Sequence, residues 1–370
     1  MKIGILTFHR ARNYGAFLQS YALKSYLLSI GVNAFIVDYW PKGHEEMYKL
    51  FSLRKILNRL FKPLSLIRYI KFSVLTFNEA RVRKTKMDAL VTKYLGVHSD
   101  VMFSSKKDLS KVEADILFYG SDQIWWKSDM ETYKGFDEVY WGEYVNSKIK
   151  KVSYAASMGC LNFSCKDIEF IKEHLKNFSD ISVREQSVCE LLTPLTSYKI
   201  KVVIDPVFLM PRSFWEEKCK KKVCSYNYVL FYNLLPTKEG RKLAEFLSVK
   251  YNCKVIEVTG QVVIDPTHEK YQTADALELV SLIKNADFVV SSSFHGVAFS
   301  LLFEKQFYSI GLGGLAGRVQ SLLSLTGLSD RVLKFAEQYS SLSLIDYNSV
   351  NPKLKKIIDS SKEFINKSIL

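Results

Sequence analysis

The chain has no apolar run approaching the roughly 18 residues that a membrane-spanning helix requires, which excludes a helical membrane protein. Its first apolar stretch, Ile3 to Phe8, is cut off by His9, Arg10 and Arg12, too soon for the core of a secretory leader. The six cysteines, Cys160, Cys165, Cys189, Cys219, Cys224 and Cys253, form no CxxC pair, and no histidines stand at zinc-ligand spacing. Neither a disulfide framework nor a metal site is expected, and the thiols should be reduced in a cytoplasmic protein. Nucleic-acid motifs are missing too: there is no zinc finger, no RNP-like aromatic strand and no recognition-helix pattern. Acids are scarce, 38 against 52 basic residues. Between Arg54 and Lys86 the only acid is Glu79.

That acid-poor span is a basic amphipathic insert, about residues 50–88. Leu53, Ile56, Leu57, Leu60 and Phe61 recur at helical spacing among Arg54, Lys55, Arg59 and Lys62. Such a helix packs on its own protein or lies on an anionic bilayer surface. The second option makes peripheral contact with the inner face of the cytoplasmic membrane an expectation.

At 370 residues and 48% hydrophobic, the chain is long for one core and suits two domains. Apolar strand-like runs (KIGILTF, AFIVDY, ADILFYG, KVSYAAS, ISVRE, KVVIDPVF) alternate with helical ones, and a second such series begins at YNYVLFYNL. Alternation of this kind predicts an α/β chain with two Rossmann-like domains of parallel sheet covered by helices. The expected boundaries are 1–206, with the insert, 207–345, and a final helix in 346–370 opened by Asn351 as cap and Pro352 at the first helical position.

One strand and one helix of the second series meet at polar residues in ADFVVSSSFHGVAFSLLF, Ala286 to Phe303. Ligands of open parallel sheets sit at the carboxyl ends of strands, where a helix N-terminus presents N–H groups and a positive dipole. Ser292, Ser293, Phe294 and Gly296 therefore read as an anion-binding corner, with the Gly296 and Val297 amides as donors, and His295 as a proton carrier. Its plainer alternative is that Ser292 caps the helix and His295 belongs to the core. Other strand ends carry Asn13, Gly15 and Gln19, then Gly120, Ser121, Asp122 and Gln123, then Tyr154 and Ser157. Arg184 follows a β-branched strand and presents a fork suited to carboxylate or phosphate, unless it is a surface ion pair with Glu185 or Glu190.

Together these segments resemble the polysaccharide pyruvyl transferase family. The matching residues are TFHRARNYGAFLQSYAL, GSDQIW at 120–125, YAASMG at 154–159, ISVREQS at 181–187, IDPVFL at 204–209, SSSFHGVAFSLLF at 291–303 and AGRVQSLLSLTGLSDR at 316–331. The resemblance implies a glycosyltransferase GT-B-like architecture, two facing domains with the site in the cleft. It also implies transfer of the enolpyruvyl unit of phosphoenolpyruvate onto a sugar as a cyclic ketal. No cofactor is then needed, phosphoenolpyruvate is the donor, and the acceptor is a lipid-linked or free glycan of surface polysaccharide biosynthesis. His295 and Arg184 would be catalytic, Ser292, Ser293, Phe294 and Gly296 would bind donor, and the residues at the other strand ends would shape the cleft or orient the sugar. Better-known members carry an arginine where this chain has Ser293. Two alternatives share the layout: a sugar-nucleotide glycosyltransferase, for which Glu278 is the one candidate ribose ligand although Asp275 and Glu278 read as a helix cap, and a catalytically inactive member.

Overall fold

The computed structural model describes residues 1–370 except 12, 42, 45–48, 50–51, 53–55, 98–101, 131–132, 160, 220–222, 235–236, 261, 264–267, 311–315 and 342. Arg12, Cys160 and the start of the expected insert helix, Leu53 to Lys55, thus lie outside the described residues.

Short β-branched and aromatic runs form strands buried on both faces, as in parallel sheets covered by helices. In chain order they are β1 (Lys2–Leu6), β2 (Asn33–Ile36), β3 (Ile116–Tyr119), β4 (Ser128–Met130), β5 (Tyr133–Gly135), β6 (Lys150–Ala156), β7 (Asp180–Val183) and β8 (Ile200–Val202), then β9 (Tyr228–Asn233), β10 (Lys254–Thr259), β11 (Glu269–Lys270), β12 (Phe288–Ser291), β13 (Gln306–Ile310) and β14 (Val332–Leu333). Two six-stranded sheets result, ordered β2-β1-β3-β6-β7-β8 and β11-β10-β9-β12-β13-β14. All pairings within them are parallel. β4 and β5 make a separate antiparallel hairpin.

Each sheet reverses its winding once, between β1 and β3 in the first and between β9 and β12 in the second. The carboxyl ends of adjacent strands diverge at such switch points and leave a crevice. Segments 7–10 and 120–123 leave the first switch point, and Ser292 to His295 leave the second.

The helix Tyr14–Ser29 joins the two halves. Asn13 caps it, accepting from the Gly15 amide at 3.0 Å, and Tyr14 donates its hydroxyl to the Ala274 carbonyl at 3.0 Å. Buried apolar residues of both halves, among them Phe17, Leu18, Val207, Trp215 and Phe299, form one continuous core.

One element differs from expectation. The final helix runs Tyr347–Ile369, capped by Asp346, with Pro352 inside it. The Asp346 side chain accepts from the Asn348 amide at 3.0 Å, so an N-terminal cap one turn earlier displaces the Asn351 start. This helix begins on the second half, where Tyr347 donates to the Lys305 carbonyl, and ends on the first. There Lys201 donates to the Ser360 carbonyl at 3.0 Å and the Ile204 amide to Ser361 Oγ at 2.9 Å. In the insert, Ile56 and Leu57 are helical, the three residues before them lying outside the described ones, and the helices Pro63–Leu75 and Phe77–Leu90 follow. The second of them reaches across to the other half. Buried Arg83 donates to the Gln272 carbonyl at 2.6 Å and the Gly260 carbonyl at 3.0 Å, and Lys86 pairs with Glu278 at 2.8 Å.

Candidate functional site

A buried charged cluster stands where the halves meet. β7 ends at Val183, and Arg184 turns inward with a side chain 2% exposed. Its Nη1 donates to Asp205 Oδ2 at 2.6 Å and to Ser121 Oγ at 3.3 Å. Ser121, leaving β3, donates to the same Asp205 oxygen at 2.9 Å. The other oxygen of Asp205 accepts the Val207 amide at 3.1 Å. From the second half comes His295, whose Nε2 stands 3.7 Å from Asp205 Oδ2. The Arg184 guanidinium lies over the Phe294 ring at 4.6 Å, a cation–π contact strengthened by desolvation. Glu185 accepts Ser157 Oγ at 2.5 Å and lies 3.9 Å from Arg184 Nε.

Several polar groups in this cluster make no hydrogen bond. Arg184 Nε and Nη2, Arg318 Nε and His295 Nε2 are buried without a hydrogen-bond partner among the described residues. The amides of Phe294 and His295, in the first turn of the helix Phe294–Leu302, are likewise without partners among the described residues. Groups of this strength left bare in a protein interior call for a partner, which water, an ion or a ligand can supply.

The electrostatics define charge states. Burial drives the His295 imidazole down to about 4, although Asp205 pulls it upward and Arg184 adds to the depression; at neutral pH it is uncharged. Burial opposes the Arg184 charge, but Asp205, Glu185 and Asp122 more than compensate and its pKa ends above the ordinary value. Burial, followed by the Arg184 charge, pushes Arg318 down to about 10, which still leaves it protonated at neutral pH. Burial works against the Asp205 carboxylate, yet His295, Arg184 and the Val207 amide hold it below its usual range. Burial raises Glu185 despite Arg184 and Ser157. The cluster thus holds two guanidinium cations and a neutral imidazole beside the carboxyl groups of Asp205, Glu185 and Asp122.

Of the residues singled out in the sequence, Arg184, His295, Phe294, Ser121 and, through Glu185, Ser157 come together here. Asp122, with φ at 85°, forms the turn that bridges to Ala156 and lies in the field of both arginines. Gly15 belongs to the site by close approach: a Cβ there would stand 2.1 Å from His295 Nδ1.

The others do structural work. Gln19 is fully buried behind β1, donating to Thr7 Oγ1 and to the Phe8 and Ala16 carbonyls. Tyr154 is fully buried too, with its hydroxyl on the Ile204 carbonyl at 3.0 Å. Gly120 packs under Leu23 and Thr7, Gln123 lies against Gly159, and exposed Asn13 is the cap described above. The helix cap is Ser293, taking the Gly296 amide, and Ser292 instead accepts the Leu234 amide at 2.9 Å. Gly296 and Val297 are therefore not free donors: the Val297 amide goes to the Ser293 carbonyl at 3.1 Å. A Cβ on Gly296 would meet Ser291 Oγ at 2.1 Å, so the close approach it permits is to its own strand. Arg184 is no surface pair, since its partner is the buried Asp205.

Sequence reasoning missed Asp205 and Arg318. Asp205 sits in IDPVF and reads as a hinge residue. Arg318, in AGRVQS at the start of the helix Ala316–Thr326, carries as its only signal a cation in an apolar segment at a strand-to-helix passage. The rival ribose ligand Glu278 is engaged in a capping box with Asp275 and in the Lys86 ion pair.

Comparison with known proteins bears on this geometry. A family model described as polysaccharide pyruvyl transferase matches residues 13–313. No curated protein sequence matches the chain. Among solved structures, similarity extends to UDP-N-acetylglucosamine 2-epimerase from Rickettsia bellii, with 12% identity and a TM-score of 0.52 over 100% of this chain and 96% of that one. The enzyme from Neisseria meningitidis, solved bound to UDP-GlcNAc, gives 13% identity and a TM-score of 0.52 over 100% and 99%. At such identity the likeness speaks for the fold, and the α/β, GT-B-like architecture expected from the sequence is the one found.

Proposed function

Since the chain belongs to the polysaccharide pyruvyl transferase family, we propose that it moves the enolpyruvyl unit of phosphoenolpyruvate onto two hydroxyls of a glycan as a pyruvate ketal, in the assembly of a surface polysaccharide. The observation that carries this reading is the pair of guanidinium groups, of buried Arg184 and half-buried Arg318, with buried unpartnered N–H groups beside the neutral His295. Phosphoenolpyruvate carries a phosphate and a carboxylate on one carbon atom, and two forks with a helix N-terminus suit two anions.

In the reaction the methylene carbon takes a proton, one sugar oxygen bonds to the neighbouring carbon, phosphate leaves with its C–O electron pair, and a second sugar oxygen closes the ring. Of the two hydroxyl protons lost, one balances the methyl group and the other leaves with phosphate. His295 is suited to relay them. Uncharged in the free protein, it accepts a hydroxyl proton as a base; the imidazolium that forms is stabilised by Asp205 and by the negative charge of bound donor, and returns a proton as an acid. Arg184 orients the donor while Asp205 and Ser121 hold its guanidinium.

The test is release of inorganic phosphate from phosphoenolpyruvate, dependent on a glycan acceptor taken from the polysaccharide the host makes. Wild type should turn over, and His295→Gln should lose roughly 100- to 10,000-fold with its fold intact. Phosphate release that ignores the acceptor, or a His295→Gln variant within about threefold of wild type, would overturn the assignment.

A further inference from the structure

Half of the large apolar side chains that stand exposed among the described residues fall between Leu57 and Val82. Phe61 is 97% exposed, Leu64 75% and Val74 65%. The helix Pro63–Leu75 buries only Ser73. At 100° per residue, Leu64, Ile67, Val74 and Leu75 share the face opposite Ser73, and Arg68 and Lys71 project from that same face. Lys62 and Arg81 are exposed nearby. Patches of this size mark a surface that something else covers.

We propose that this face docks on an anionic lipid surface, with the helix lying in the plane of the interface. Its composition selects that occupant: leucine, isoleucine and valine enter the boundary of the acyl region, while the long stems of Arg68 and Lys71 lie along them and return their charges to the headgroups. A second copy of the chain fits poorly, because a twofold contact would set Lys62, Arg68 and Lys71 against their own like charges with only Glu79 to offset them. The docking helix leads directly into the next, Phe77–Leu90, which Arg83 and Lys86 anchor on the other half. This inference does not depend on the transfer chemistry.

The experiment uses the full chain and large vesicles of phosphatidylcholine, with or without about a third phosphatidylglycerol. Wild type should float with the anionic vesicles at low salt and be released near 1 M, where the Debye length is about 3 Å. A basic residue held near such a surface strengthens binding about fivefold, so Lys62→Gln, Arg68→Gln and Lys71→Gln together should weaken it on the order of a hundredfold. Leu64→Trp should shift its emission to the blue on anionic vesicles, and Leu64→Asp with Ile67→Asp should weaken flotation while the melting temperature holds. Wild type that ignores anionic vesicles at low salt overturns the proposal. So does a self-associated wild type that Leu64→Asp turns into monomers while flotation is unaffected.

Discussion

Gly15→Ala asks whether the two halves are apposed as described. Gly15 lies in the first turn of the helix Tyr14–Ser29, and a Cβ there would stand 2.1 Å from His295 Nδ1 and 2.4 Å from Cε1. An ordinary contact is about 3.5 Å, so ring and methyl must separate by roughly 1.4 Å. His295 is only 5% exposed and has little room to retreat. Two effects then compete. Alanine in a helix is favoured over glycine by about 0.8–1 kcal/mol, whereas overpacking a filled site costs typically 1–3 kcal/mol. The expected balance is a loss of about 0–2 kcal/mol. A shift on the order of 1 Å in a reacting group can reduce turnover about 100-fold, so activity should fall further than stability. Chemical denaturation and acceptor-dependent phosphate release measure the two. In the background of His295→Ala the same change should become stabilising, as a double-mutant cycle would show. A Gly15→Ala protein that is more stable than wild type, with unchanged turnover, would refute the contact.

Three further outcomes are expected. His295 is depressed to about 4 from an ordinary 6.5, so the unfolded chain takes up the proton first; the associated stability is complete above about pH 6.5 and is lost as pH falls toward 4, and denaturation midpoints should decline more steeply across that window in wild type than in His295→Gln, with parallel declines counting against the buried neutral imidazole. Arg184→Lys should weaken donor binding, because a point charge cannot span two acceptors; Arg184→Ala is less informative, since a stranded Asp205 costs about 3–5 kcal/mol, and unchanged donor affinity in the lysine variant would confine Arg184 to holding Asp205. Tyr154→Phe should cost about 1–3 kcal/mol by stranding the Ile204 carbonyl and leave turnover per folded molecule unchanged; the reverse pattern would return Tyr154 to the cleft.

The alternation of apolar strands with amphipathic helices was legible because parallel strands buried on both faces leave a strong compositional trace. So was the location of the site, since serine, histidine and arginine stand out at the ends of such strands. Their roles were less so. Ser292, Ser293 and Gly296 carry the same local signal whether they face a ligand or staple a helix to its own strand, and only the path of the Leu234 and Gly296 amides separates the two. Tyr154 and Gln19 look polar in a motif, yet each spends its hydrogen bonds inside the first half, on backbone carbonyls and, for Gln19, also on Thr7 Oγ1. Asp205 and Arg318 are far from Arg184 in sequence or hidden beside a proline or a glycine, and their meaning arises only when two separate sheets bring them to one point.

The path of the final helix has a consequence for recombination. The cluster draws Arg184 and Asp205 from one half and His295 and Arg318 from the other, so exchanging second halves between family members is an obvious way to shuffle acceptors and donors. A single crossover after residue 206 would, however, carry the Tyr347–Ile369 helix along with a half on which it only begins. Ser360 and Ser361, which seal β8 and the Asp205 segment from behind, would then come from the wrong parent. A workable chimera needs a second crossover within that helix, after it leaves the Lys305 carbonyl and before it reaches Ser360. Inheritance by halves in this fold is thus constrained by its last two dozen residues.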